Sequence, residues 1–170
     1  TEAAVLAAAE IDGPVYIRLG RMAVPEVNTG DYSFQWGKAV VFREGTDVLL
    51  VGTGLMVDTC LKAAEVLQQE GISAGVINIH TIKPIDADTI IRMATITGAV
   101  VTVEEHSIIG GLGSAVAEVL GEALPVPLKR VGISDSFGES GKPMELLDKY
   151  GLNPEGIVAA AKSVIDRKKK

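Results

Sequence analysis

With 170 residues, 47% of them hydrophobic, and a mean hydropathy of +0.29, the chain has the length of one domain plus an appendage and the apolar content of strands covered on both faces. A net charge of −6 with scattered lysines and arginines argues against a nucleic-acid partner. No apolar stretch reaches spanning length, no signal-peptide pattern is present, and the single cysteine permits no disulfide within one chain, so a cytoplasmic protein without membrane contact is expected.

Residues 2–9 are nearly all alanine with Val5 and Leu6, a strong helix former stopped by Asp12-Gly13-Pro14. Val15-Tyr16-Ile17-Arg18-Leu19 follows as a strand pattern. One helix and one strand cannot bury themselves, so residues 1–22 are expected to be the C-terminal remnant of another domain. Residues 23–36 carry Pro25, Asn28, Gly30 and Asp31 with little apolar periodicity and are taken as a linker.

From Gly37 the pattern becomes regular. Lys38 to Phe42 and Val48 to Val51 flank Glu44-Gly45-Thr46-Asp47 as an expected hairpin. Met56 to Glu70 is a helix with Val57, Leu61, Ala64 and Leu67 on one face, capped by Gly71; Cys60 inside it is expected to be an ordinary buried thiol. Next come a strand over Ala74 to Ile79, a helix from Asp86 to Ile96, a strand ending at Val103, a helix after Gly113, and a strand over Leu128 to Ile133. Helices over Pro143 to Lys149 and Pro154 to Arg167 close the domain at residue 166, with Gly151 and Asn153 marking the break, and residues 167–170 form a basic tail complementing a helix C-terminus. The alternation predicts an α/β fold: a three-layer domain over 37–166 with a mostly parallel sheet and an N-terminal hairpin, preceded by a helix-strand remnant.

The chemistry-bearing residues gather where a buried strand runs through Glu104-Glu105-His106 into Gly110-Gly111-Leu112-Gly113 and a helix. Ligands and partners meet open α/β sheets at such carboxyl edges. Gly111-x-Gly113 is followed by Val116 where a dinucleotide fingerprint wants a small residue, and Gly52-Thr53-Gly54 is followed by Val57; no Lys-Ser/Thr pair completes a phosphate loop. Adjacent glutamates on an extended segment point to opposite faces, which excludes a paired acid and base but places one carboxylate near the following helix N-terminus. His106 is the better functional candidate, because histidine is the residue type suited to proton transfer near neutral pH and this one follows a strand at the carboxyl edge, although neither His80 nor Cys60 stands at metal spacing from it. Ser107 and Ser114 lack the nucleophile-elbow frame. Arg18 and Arg21, beside a glycine-bearing linker, suit a phosphate or carboxylate, or else an inter-domain ion pair.

Several blocks, in order, carry a family resemblance. Gly13-Pro14-Val15-Tyr16-Ile17-Arg18-Leu19-Gly20-Arg21 looks like the last strand of the pyrimidine-binding domain of transketolases. Gly37-Lys38-Ala39-Val40, Thr81-Ile82-Lys83-Pro84-Ile85-Asp86, Val103-Glu104-Glu105-His106 and Asp135-Ser136-Phe137-Gly138-Glu139-Ser140-Gly141 recur across the C-terminal domain. The whole chain thus resembles the C-terminal portion of a transketolase, above all the C-terminal subunit of the split prokaryotic form.

The resemblance implies a parent transferase of the pentose phosphate type that moves a two-carbon ketol unit between sugar phosphates, using thiamine diphosphate and a divalent ion (Mg or Ca). Both would be held outside this chain, which would bind no cofactor or metal, contribute no catalytic group, serve assembly and domain packing, and be inactive alone. By position Arg21 matches the family arginine on the substrate phosphate, and Arg18 one found in the synthase branch; Gly20 replaces the serine usual before that arginine. Implied partners are an N-terminal transketolase subunit or domain and a second copy in a homodimer. The alternatives are the C-terminal domain of deoxyxylulose-phosphate synthase or of a 2-oxoacid dehydrogenase beta subunit, whose partner would be a lipoyl-bearing acyltransferase. A third is a non-catalytic regulatory module whose loop of His106, Gly110, Gly111 and Gly113 captures a small anion or a partner.

Overall fold

A computed structural model describes residues 1–28 and 32–168. Five strands form one sheet in the order β1 (Val40–Arg43), β3 (Ala74–Asn78), β2 (Val48–Gly52), β4 (Val100–Ser107), β5 (Leu128–Ile133). The last four are mutually parallel, and β1 runs antiparallel to β3 at one edge. Strands β2 and β3 are buried along their whole length, as continuous apolar runs require when helices cover both faces.

Period-2 alternation divides the core. Val48 and Leu50 of β2 and Val101 and Val103 of β4 face α2 (Met56–Gln69), α5 (Pro143–Lys149) and α6 (Pro154–Lys168). Leu49 and Val51 of β2 and Val100 of β4 face α3 (Ala87–Thr97) and α4 (Leu112–Ala123). Helices therefore lie on both sides, and the three-layer α/β expectation holds. Because α2 and α4 leave β2 and β4 toward opposite faces, the carboxyl ends of those two strands are the topological switch point of the sheet.

Three expected elements are corrected. The hairpin between β1 and β2 does not form: β3 lies between them. The connection instead crosses the start of β3, where Thr46 and Asp47 donate their amides to the Ser73 carbonyl and the Asp47 carboxylate takes the Ser73 amide at 2.7 Å. Gly45 passes so close to Ala74 and Gly75 that a Cβ would strike their backbone, so sequence adjacency gave way to a glycine crossing. The second correction concerns Val15 to Leu19, which are irregular rather than a strand, with Tyr16 86% exposed. A strand needs a neighbour to take its amides, and none of the described strands pairs with this segment. The preceding helix α1 (Glu2–Ala9) forms as expected but buries no residue.

The third lies at the C-terminus. Helix α6 continues through Lys168, so Arg167 and Lys168 belong to its last turn and not to a tail; residues 169–170 lie outside the described residues, as do 29–31 of the expected linker. Arg167 donates to the Leu128 carbonyl, and Lys168 Nζ donates to the Thr97 carbonyl at 2.6 Å, placing a cation on the C-terminal end of α3. Among the described residues no helix is long and apolar enough to cross a membrane.

Candidate functional site

The carboxyl edge is built by β4, which runs on through Ser107 past the end of β2. The two glutamates take opposite faces, as an extended segment dictates. Glu104 is 2% exposed and Glu105 is exposed. Glu104 turns toward α4, where Oε2 accepts the Leu112 amide at 2.7 Å and Oε1 the Gly113 amide at 2.8 Å. A buried carboxylate is tolerable only with such donors, and here the first turn of a helix supplies both.

The glycines are required by this closeness. A Cβ on Gly111 would clash with the Glu104 carboxylate, and one on Gly113 would stand 2.7 Å from Thr102 Oγ1 and 2.8 Å from the Arg130 stem. Gly110 has φ +76, and its amide donates to Ser114 Oγ at 2.9 Å. Arg130 of β5 donates from Nη1 to the Ile108 carbonyl at 2.8 Å and so braces the loop from the neighbouring strand. The amides of Gly110, Leu112 and Gly113 are therefore occupied by the chain's own oxygens.

His106 is exposed at the end of β4, with Nδ1 3.1 Å from the Ser107 carbonyl. It shares the loop with the glycines but not their hydrogen bonds. Apolar side chains project from neighbouring connections on this edge: Ile109 after β4, and after β5 Phe137, which is fully exposed. The β5 loop is anchored through Glu139, whose carboxylate takes Lys149 Nζ and the Tyr150 hydroxyl at 2.7 Å, holding it below the usual carboxylate range.

Arg18 and Arg21 sit elsewhere, exposed on the irregular N-terminal segment. Among the described residues neither joins an ion pair, and no hydrogen bond ties them to the His106 loop. Cys60 is fully buried in α2 against β2, and burial pushes its thiol up, far from reactive range.

Thiamine diphosphate and its divalent ion do not fit these residues. At the most phosphate-like turn the donors are bonded to Glu104 and Ser114, and the Glu104 carboxylate stands where a diphosphate would arrive. At Gly52-Thr53-Gly54 the carbonyls of Thr53 and Gly54 are turned to the amides of Met56 and Val57. Among the described residues no three metal-ligating side chains cluster.

Arg130, which sequence reasoning passed over, shapes this edge, and Asp86, which it read only as the start of a helix, caps that helix. Arg130 gave no local signal, since its role depends on β5 lying beside β4. Asp86 could have been found as a helix N-cap three residues before Thr89, whose amide it accepts at 3.2 Å.

Comparison with known proteins fixes the context. The family model of the transketolase C-terminal domain matches residues 37–157. A 6-deoxy-6-sulfo-D-fructose transketolase subunit from a Clostridium species is 52% identical over 157 residues, covering 92% of this chain and 49% of its own length. A 1-deoxy-D-xylulose-5-phosphate synthase from Gloeothece citriformis is 41% identical over 150 residues, covering 86% of this chain and 24% of its own. Among solved structures, a split-gene transketolase described as an inactive beta4 tetramer matches with a TM-score of 0.94 and 52% identity, over 98% of this chain and 55% of that one. The chain thus spans about half the length of the transketolase subunits it matches.

Proposed function

The chain belongs to the family of transketolase C-terminal domains, and we propose from this that it is the C-terminal portion of a split transketolase that moves a two-carbon ketol unit between sugar phosphates. The observation that carries the reading is the likeness to the split-gene transketolase chain, which extends beyond the domain to the N-terminal segment. Residues 1–22 then belong to the pyrimidine-binding domain, residues 23–36 link it to the C-terminal domain, and the exposure of Leu6, Tyr16 and Leu19 is that of a piece whose packing partner is the rest of the parent.

In this reading thiamine diphosphate and its divalent ion supply the carbanion chemistry from sites outside the described residues. This chain contributes architecture and the substrate's distal end. Arg21 holds the sugar phosphate through a charge-assisted contact, with Arg18 beside it. The edge loops around His106 and Phe137 meet other subunits, and the relative's beta4 assembly supports self-association, here as a twofold pair built on the C-terminal domain. The names of the relatives differ in sugar and in its anionic end, a sulfo group in one and a phosphate in the other, so the phosphate is proposed here as the anionic handle and the sugar itself is left open. The synthase alternative remains within the same superfamily; its relative is less alike and shares a smaller part of its own length.

Calorimetric titration of thiamine diphosphate with Mg²⁺ into this chain tests the division of labour. The expected result is no heat of binding at micromolar concentrations. Micromolar binding would move the cofactor site into this chain and overturn the proposal.

A further inference from the structure

The segment entering the domain is fastened to the sheet edge at two points of different chemistry. Ala39 donates its amide to Asp86 Oδ2 at 2.9 Å, and Lys38 Nζ stands 3.9 Å from Oδ1, while Gly37, at φ +71, runs against Pro84. Upstream, the Phe34 ring lies on His80, just past the end of β3, with centroids 4.6 Å apart and planes 35° from parallel, and Trp36 meets Phe34 edge-on at 6.0 Å. His80 Nδ1 is 2.8 Å from Thr81 Oγ1, so that one ring nitrogen is engaged and one face is covered. We propose that residues 32–39 form a strap whose aromatic half is seated on neutral His80 and lifts when the imidazole takes up a proton, while the Asp86 half stays fastened.

The sign follows from what surrounds the ring. Burial disfavours the imidazolium and sets His80 below its ordinary value. The charged and titratable groups on the elements holding it are Tyr32 and Lys38 of the strap and Lys83 and Asp86 of the following turn. Lys38 is spent on Asp86. Asp86 does not attract a further cation freely, because its oxygens already serve the Ala39 amide, Thr89 and Lys38. The face of Phe34 returns some attraction to a cation, but against lost hydration it leaves the neutral form favoured. The lifted strap binds more protons than the seated one, so the seat is complete above the ordinary histidine value and is lost as pH falls below it. Since the strap joins the C-terminal domain to whatever precedes it, this makes the inter-domain joint acid-sensitive.

The chain supplies its own reporter, because Trp36 is its only tryptophan and His80 and His106 are its only histidines. Tryptophan emission maximum and acrylamide quenching of the full chain would be followed from pH 8 to pH 5, with far-ultraviolet circular dichroism in parallel. The expected result is a red shift and greater quenching, with a midpoint below about 6.5, unchanged dichroism, loss of the transition in His80→Gln and its persistence in His106→Gln. No shift, a blue shift, or a transition surviving in His80→Gln would overturn the proposal. All of these readouts are independent of ketol transfer, so they can fail while the functional reading stands.

Discussion

Glu104 and Gly113 are joined by a hydrogen bond in which the Gly113 amide donates to Oε1 at 2.8 Å, tying the end of a strand to the first turn of the helix that follows it nine residues later. With Leu112 on the other oxygen, the carboxylate fills the position a bound anion would take at this helix N-terminus. The Leu112 and Gly113 amides are thereby taken from the donors that an anion at this turn would use.

The first prediction concerns that carboxylate. In Glu104→Gln one oxygen remains to accept, and the new NH₂ is brought against an amide donor in a buried site. Urea unfolding should report a loss of about 1.5 to 3 kcal/mol, the range for hydrogen bonds to charged groups. A loss below about 0.5 kcal/mol, typical of a neutral surface change, would mean that the cap contributes nothing.

The second prediction uses Asp86. Burial pushes its carboxyl up, but the Ala39 amide, the Thr89 hydroxyl and amide and the Lys38 ammonium outweigh this and hold it below its ordinary value. A depressed carboxyl contributes stability above the unfolded value, near 3.9, and loses it as pH falls through the folded value. Asp86→Asn should therefore cost about 1 to 2 kcal/mol at pH 7, and the gap from the native chain should shrink as pH drops below about 4. A gap that stays constant with pH would assign the effect to packing.

These two sites also show what the sequence could and could not disclose. The opposite facing of Glu104 and Glu105, and a carboxylate beside the next helix N-terminus, followed from strand geometry and the glycines alone. The helices of the C-terminal domain and β5 followed from apolar periodicity, because a three-layer sheet imposes one pattern throughout. What failed depended on the choice of neighbour. Val40–Arg43 and Val48–Gly52 are four residues apart yet unpaired, since β3 takes the place between them, and nothing local distinguishes a hairpin from such a crossing except the demand on Gly45. Val15–Leu19 has the composition of a strand but joins no strand among the described residues. Arg130 and the Phe34–His80 contact bring distant positions together only in the fold.

The third prediction tests the substrate end. In the reassembled parent enzyme Arg21→Ala should raise KM for phosphorylated sugars by roughly ten- to a hundredfold, as expected for a charge-assisted contact worth about 1.5 to 3 kcal/mol. Unphosphorylated analogues should be affected little. Equal losses for both substrate types would make Arg21 structural.

Ketol transfer itself is the most direct test of the account, measured with a ketose phosphate donor, an aldose phosphate acceptor, thiamine diphosphate and Mg²⁺. The account predicts no turnover by this chain alone and turnover by the parent protein reassembled around it with its N-terminal subunit. Turnover by residues 1–170 alone, or a reassembled parent that never transfers a two-carbon unit, would contradict it.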